Sequence, residues 1–302
     1  MGERNGNVRS GTRRPRRLSV VIPALNERDN IEEVIRTVPS RLLGDLGYDV
    51  EILVVDNGST DGTGDIARRC GALVVNQPIR GYGSAYKAGF ANCTGDIIAT
   101  GDADLTYPLE MIPAMLELME KKEFDFLSTD RMSSLDPRAM SPSHVWGNRA
   151  LSAVSRALFL APFRDSQSGM WIFRREVWES ARVQSNGMAF SQELKHEAFA
   201  KGFRCAEVAI TYRPRGGEKK LRTVRDGAIN ATQLFAHRMR LMLPDTTVTT
   251  SPLHLSADRQ LPVMAALPEL NLRRHAVESV TEIDLRDGAL EPVGASNGSG
   301  SS

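Results

Sequence analysis

Cysteine is scarce in this chain. The three present, Cys70, Cys93 and Cys205, are widely spaced and odd in number. That excludes a disulfide framework or a cysteine-built zinc cluster and fits a reducing cytosol. No run of about 18 apolar residues occurs, so no bilayer-spanning helix is expected. Net charge is only +1, which excludes the positive field of a nucleic-acid binder. The basic charge that does cluster lies at the start, where Met1–Arg17 carries six arginines against one glutamate. No apolar stretch follows it, so a signal peptide is not expected, and residues 1–17 read as a basic, disordered arm. Also missing is a G-x-G-x-x-G run after the first apolar segment, which a nicotinamide dehydrogenase would need. A Gly-rich, Lys-bearing loop suited to a sugar nucleotidyltransferase is absent from the same place.

What is present is ordinary for a soluble globular protein: 302 residues, 41% apolar and 25% charged. Short β-branched runs alternate with helical periodicity. "LSVVIPAL" (18–25), "EILVVD" (51–56), "ALVVN" (72–76), "DIIATGD" (96–102) and "FDFLST" (124–129) read as buried strands. Asn26 is expected to cap the helix carrying Ile31, Val34, Ile35 and Val38. Further helices are expected around 65–69, over 83–92 and after Pro108. Beyond Arg131, helices are expected over 144–160, 191–201 and 223–243, with strands over 169–173 and 205–212. The expected fold is therefore α/β, with a mostly parallel central sheet and helices on both faces. The folded domain is read as 18–243, and 244–302, ending "GASNGSGSS", as a poorly ordered tail.

In open α/β sheets, ligands bind outside the carboxyl ends of the strands. "PALNE", "DNGSTDGT" and "GDAD" all fall at such ends. Asp102 and Asp104, one residue apart at a strand exit, can point the same way. Their repulsion is relieved by a hard divalent cation with oxygen ligands. A cation held by two carboxylates completes its shell with phosphate oxygens and water, so the pair suggests a metal–diphosphate site. Alone, the D-x-D spacing equally describes a solvated loop.

Taken in order, "VVIPALNE", "ILVVDNGSTDGT", "RGYGSAYKAG" and "GDADLTYP" resemble the inverting nucleotide-sugar glycosyltransferases of family 2, with the GT-A fold, a three-layer sandwich. "DSQSGMWIFRREV" (165–177), "SQEL" (191–194) and "YRPRGGEKKLRTVRDG" (212–227) are most similar to the polyprenyl-phosphate sugar synthases. The resemblance implies that Pro23, Ala24, Asn26 and Glu27 line the nucleotide pocket and that Asp56 meets the base or ribose. It places Gly58, Ser59 and Asp61 in the adjoining turn, and Gly83 and Lys87 in the segment closing over the nucleoside. Asp102, Ala103 and Asp104 lie against the diphosphate, the two aspartates binding Mg2+ or Mn2+. Where the family often has Gln two residues after the second aspartate, this chain has Thr106. Arg131, Arg149, Arg215 and Lys220 match the cations that hold an acceptor phosphate. The usual G-E-S-K reads "GEKK" here, with Lys219 adding charge.

The implied reaction moves a sugar from a UDP- or GDP-linked donor. A hydroxyl acceptor must lose its proton and needs a carboxylate base, for which Asp165 and Glu193 are the candidates. A phosphate monoester, with second pKa about 6, is already largely ionised and needs cations instead; Arg131 and Arg215 are then the catalytic candidates. The basic cluster favours a polyprenyl phosphate acceptor. A small soluble acceptor remains the alternative, and a non-catalytic nucleotide-sugar sensor the third reading. No nucleic-acid partner is expected. A lipid acceptor implies a cytoplasmic protein that touches the inner face of the membrane. In the last helix, Val224, Ala228, Ala231, Phe235, Met239 and Met242 share one face, and Asp226, Asn230, Gln233, His237 and Arg240 the other. Its apolar face suits either a membrane surface or the domain itself.

Overall fold

A computed structural model describes residues 16–136, 138–216 and 223–242, the side chains of 223–231 excepted. Among these residues seven strands form one sheet: β1 (Arg16–Ala24), β2 (Tyr48–Asp56), β3 (Leu73–Asn76), β4 (Ile97–Thr100), β5 (Phe126–Leu135), β6 (Trp171–Arg174) and β7 (Cys205–Tyr212). Their order across the sheet is β3-β2-β1-β4-β6-β5-β7. Every pairing is parallel except those of β6, which runs antiparallel to both β4 and β5. Nine α-helices are described: α1 (Ile31–Thr37), α2 (Ser40–Asp45), α3 (Thr63–Arg69), α4 (Tyr82–Asn92), α5 (Ile112–Lys121), α6 (Pro142–Phe159), α7 (Arg175–Ser180), α8 (Phe190–Ala200) and α9 (Thr223–Met242).

The alternation of β1 explains the layering. Leu18, Val20 and Ile22 enter one apolar cluster, with Ile112 and Met115 of α5. Val21 enters the other, with Tyr86 and Phe90 of α4 and Phe190 of α8. Successive strand residues point to opposite faces, so one strand feeds two cores and helices must cover both. The expected α/β sandwich with a mostly parallel sheet is what the chain forms.

Several boundaries differ from those read in the sequence. The first strand begins at Arg16, because Arg16 pairs with Glu120 at 2.5 Å and lies over the Tyr48 ring, while Arg17 bonds Asp49 at 3.2 Å. Two residues assigned to the basic arm thus belong to the sheet. The rest of that arm and the tail 244–302 lie outside the described residues. Asn26 caps no helix. It sits in the left-handed region at φ 52°, and α1 begins five residues later, after Asn30. The short helices α2 and α7 carried no periodic signal long enough to detect.

Helix α4 rests on the sheet at Gly89, where a Cβ would collide with Val21 Cγ1 and lie 3.0 Å from Val55 Cγ2. Alanine ordinarily stabilises a helix interior by up to about 1 kcal/mol over glycine, but overpacking costs about 1–3 kcal/mol. Gly89→Ala is therefore expected to lower the urea midpoint. A midpoint at or above wild type would mean that α4 stands further from the sheet.

Candidate active site

The carboxyl ends of β1, β2 and β4 bring the polar segments together. The loops after β1 and β2 are knitted to each other. Asn26 N donates to Ser59 Oγ and Thr60 N to Asn26 Oδ1, at 3.0 and 2.9 Å. Asp61 accepts from Arg28 N and from Thr63 N and Oγ1, and Thr63 Oγ1 in turn accepts from Glu27 N. Burial raises the Asp61 pKa, but the bonds from Thr63 and Arg28 outweigh it and hold the carboxyl below its usual range. Asp56 Oδ1 accepts from Ser59 N at 2.8 Å, and Gly64 leaves room for its other oxygen. Ser59 and Asp61 therefore join the two loops, with Gly58 at φ 84° making the turn. Pro23 and Ala24 end β1 beside them.

Asp102 and Asp104 stand at the exit of β4 with the buried Ala103 between them. Burial, then the neighbouring Asp104, pushes the Asp102 pKa up to about 7, with Arg215 and Arg131 acting in the other direction. Tyr82 donates its hydroxyl to Asp102 Oδ1 at 3.4 Å. Asp104 Oδ1 accepts from Thr106 N and Oγ1 at 3.2 and 2.6 Å, and its Oδ2 pairs with Arg215 at 2.6 Å. Thr106 thus orients Asp104 rather than adding a carboxamide ligand. Among the described residues no group of three or more His, Cys, Asp or Glu could hold a metal. Two hard anionic oxygens whose mutual repulsion lifts a pKa fit a divalent cation that completes its shell with phosphate.

Three further segments close on this pair. Gly169, entering β6, is clamped by Tyr107 and Thr100: its N donates to Tyr107 Oη at 2.7 Å and its O accepts from Thr100 Oγ1 at 2.9 Å. A Cβ there would collide with Tyr82 Oη and approach Asp102 Oδ1. After β7, Gly216 N donates to the Asp104 carbonyl at 3.0 Å, and Asn30 Nδ2 donates to the Gly216 carbonyl at 2.5 Å. That loop arches from the aspartates to the β1 loop. The third segment, 184–186, packs on the start of α4, where Cβ atoms on Gly81 and Gly83 would collide with the Asn186 and Ser185 carbonyls.

The remaining expected site residues are placed as follows. Arg131 and Asp165 meet in a buried bidentate pair, Nε to Oδ2 at 2.6 Å and Nη2 to Oδ1 at 2.9 Å, with Arg131 stacked on Tyr212. Burial raises the Asp165 pKa, but Arg131 more than offsets this and holds the carboxyl below its usual range. Glu193 is 3% exposed. Its Oε2 accepts from Gln184 N and Ser185 N, both at 2.9 Å, and its Oε1 from Arg240 of α9 at 2.8 Å. Lys87 donates to the Gln184 carbonyl and Asn186 Oδ1, so it braces the same loop, and no bond among the described residues joins it to Asp102 or Asp104. Arg149 is exposed on α6, and no bond among the described residues joins it to the aspartates. Lys220 lies outside the described residues.

Residues not singled out in the sequence also hold the site. Asn57, 5% exposed, ties β2 to the loop before α4 by donating to Gln77 O and Ile79 O and accepting from Gly81 N. Lys195, fully buried, donates to the Asp165 carbonyl at 2.6 Å. Burial lowers its pKa to about 8, against the pull of Asp165 and Glu207. The signal available for Lys195 was a lysine within "SQELKH", on a helix whose two faces are both covered.

A mostly parallel sheet with an aspartate pair at the exit of a central strand, fed by loops from β1 and β2, is the GT-A architecture. Residues 19–180 match Glycosyl transferase family 2, and the chain belongs to that family. It is 39% identical over 212 residues to the low-salt glycan biosynthesis hexosyltransferase Agl6 of Haloferax volcanii. That match takes in 70% of this chain but spans only about half, 51%, of that relative's length. To the dolichyl-phosphate hexose transferase of the same organism it is 34% identical over 211 residues, 70% of this chain and 89% of that one. Among solved structures it is similar to glucosyl-3-phosphoglycerate synthase from Mycobacterium tuberculosis in complex with Mn2+, UDP and phosphoglyceric acid. There the TM-score is 0.59 and identity 27%, covering 76% of this chain and 80% of that one.

The raised Asp102 pKa has a measurable cost. An acid whose folded pKa exceeds its unfolded value weakens the fold wherever it is ionised, here above about pH 7. The penalty fades as pH falls toward about 4, where the unfolded chain also takes up the proton. Asp102→Asn is expected to raise Tm by roughly 2–4 °C at pH 8 in chelator, for each kcal/mol relieved. The gain should fall by about half or more at pH 5 and vanish near pH 4. Equal melting temperatures throughout this range would show that the pair is well solvated.

Proposed function

We propose that the protein is an inverting glycosyltransferase that moves a sugar from a UDP- or GDP-linked donor to a polyprenyl phosphate. The observation that carries this is the state of the two candidate bases. Asp165 is locked to Arg131, and Glu193 holds two backbone amides and Arg240. An acceptor that arrives already ionised asks nothing of either. Arg215, whose side chain keeps 29% exposure beside Asp104, is suited to receive such an anion, with Arg149 and Lys220 as further cations. The likeness to a dolichyl-phosphate hexose transferase agrees with this acceptor class.

In this reading the nucleoside sits between the β1 and β2 loops, with Asp56 towards the base or ribose and Gly83 above it. Asp102 and Asp104 would hold Mg2+ or Mn2+, which would supply positive charge to the departing diphosphate. An acceptor phosphate oxygen attacks the anomeric carbon from the face opposite the diphosphate. The new C–O bond forms as the bond to the nucleoside diphosphate breaks, and the configuration inverts. Arg131 acts through its neighbours, keeping the 165–169 loop against Asp102. The enzyme works at a membrane surface, where such an acceptor resides, although no described helix is long and apolar enough to cross one.

A second reading keeps the donor site and replaces the lipid with a soluble acceptor, as the phosphoglyceric acid in the structurally similar synthase suggests. Assays of UDP- and GDP-sugars with Mn2+, offered polyprenyl phosphate in detergent or phosphorylated and neutral hydroxyl acceptors, separate the two. Transfer to the lipid phosphate is expected, and transfer only to a neutral hydroxyl would overturn the proposal. Glu193→Gln provides an independent check. A lost general base would cost about 10²–10⁴ in kcat, whereas a loop brace should mainly raise the donor KM and leave kcat within about tenfold. A kcat loss in the base range would return Glu193 to the chemistry.

A further inference from the structure

Helix α9 turns to the domain the side that the sequence marks as polar. Leu234 and His237 are each 1% exposed, and His237 stacks on Phe159 of α6. Arg240, one turn on, donates to His237 Nδ1 at 3.2 Å and to Glu193 Oε1 of α8 at 2.8 Å. A guanidinium laid inward needs a partner that offsets its desolvation, and here the partner is a buried carboxylate.

What hangs on that carboxylate is backbone. The chain between α7 and α8 crosses 181–189 without helix or strand, so its amides need acceptors from outside the segment. Arg182 N donates to Glu197 Oε2, and Gln184 N and Ser185 N to Glu193 Oε2, each at 2.9 Å. The acceptors of the same segment go to α4. Gln184 O accepts from Lys87 at 2.8 Å, and Asn186 O from Ser84 N at 3.2 Å. Ser84 N is among the first amides of α4, which have no acceptor inside the helix. The same turn bonds Gly81 N to Asn57 Oδ1 at 2.8 Å and Tyr82 Oη to Asp102 Oδ1 at 3.4 Å. One run of contacts therefore leads from Arg240 through Glu193 and residues 184–186 to the turn of α4 beside the aspartate pair. Without the guanidinium, Glu193 Oε1 is left buried and unpaired, which costs more than one lost hydrogen bond. The carboxylate escapes only by turning away from the Gln184 and Ser185 amides or by taking them with it.

We infer that Arg240 is a positioning residue for the nucleotide donor, fixing through Glu193 the 184–186 segment on which the start of α4 rests. The inference rests on the donor half of the reading above. Arg240 itself makes no bond to the aspartate corner among the described residues. It leaves the segment one place to sit, so that Tyr82 and Gly83 meet a nucleoside diphosphate in one arrangement. Its loss falls on donor binding, because no bond among the described residues joins the segment to Arg215 on the acceptor side.

Titration calorimetry with UDP and with GDP, each with Mn2+, reads this without turnover. Arg240→Met is expected to raise the Kd of whichever nucleotide the wild type binds by about tenfold, within the usual range for coupled sites. Donor KM should rise by a similar factor, while kcat and acceptor KM stay within about threefold. Arg240→Lys, which keeps the charge on a single point of contact, should recover part of the loss. Arg238→Met, on the same helix, should bind as the wild type does. Glu193→Gln should also weaken binding, and Arg240→Met/Glu193→Gln no further than the weaker single variant, because both break one run of contacts. The Gln184 and Ser185 amides should exchange faster in Arg240→Met without any nucleotide. An unchanged nucleotide Kd in Arg240→Met overturns the inference, even if Tm falls, since the residue then only supports the fold. Single-variant effects that simply multiply in the double variant overturn it too. Should Arg240→Met fail to fold, Arg240→Lys carries the test, with a Kd raised about threefold expected and an unchanged one decisive against. Failure of the donor reading looks different: the wild type then binds neither nucleotide, and the inference falls with it.

Discussion

Two carboxylates pressed together at the exit of β4 set the terms for the rest of the molecule. Asp102 cannot be ionised cheaply in this position, since burial and the neighbouring Asp104 act in the same direction. The surroundings answer with Tyr82 and Thr106 as hydrogen-bond donors and Arg215 as a counter-charge. Each of those comes from a different loop. The β3–α4 connection, the turn after the aspartates and the segment after β7 are all drawn to one corner, and the opening between them is shaped by that convergence.

Behind this corner lies a second charged layer, most of it buried. Arg131, Asp165 and Lys195 lie together between β5, the 165–169 loop and α8, and Glu207 accepts from Arg164 N and Asp165 N. Burial, with Asp130 and Asp165 adding to it, lifts the Glu207 pKa to about 8, while Lys195 and the Arg164 amide pull against it. A buried ion pair is weak evidence for stability, because its desolvation cost rivals its attraction. Its effect here is geometric. The bidentate Arg131–Asp165 pair leaves the loop to Gly169 one place to sit, with the Gly169 amide on Tyr107 and its Cα against Tyr82.

The half built on β1, β2 and β4 was legible in the sequence because its signals are local. "VVIPALNE" and "ILVVDNGSTDGT" are each a β-branched strand followed by turn chemistry, and β1, β2 and β4 formed close to where they were expected. The aspartate pair needed only its place after an apolar run. What could not be read was set by distance in the chain. Asp165 resembles a catalytic carboxylate until Arg131, thirty-four residues earlier, is seen to occupy both its oxygens. Glu193 is claimed by Arg240, forty-seven residues later. The facing of α9 was likewise open, since amphipathicity reports two faces but not which one meets the domain. Asn26, expected as a cap, took a left-handed conformation because two loops had to be joined side by side.

The reversal of β6 has a consequence for how such a protein can change. Strands on one side of it, β1, β2 and β4, contribute their carboxyl ends to the aspartate corner. On the other side β5 and β7 carry Arg131 and lead to Arg215. Because β6 runs antiparallel, its amino end, with Gly169 and the loop from Asp165, opens at the same edge. The reversed strand is thus a seam between two halves that share one corner. Under the proposed function, substitutions on the β7 side would redraw the acceptor contacts while the β1–β2 loops, bound mainly to each other, would keep the nucleotide. Descendants of one ancestor could in this way inherit a fixed sugar source and diversify in what they decorate.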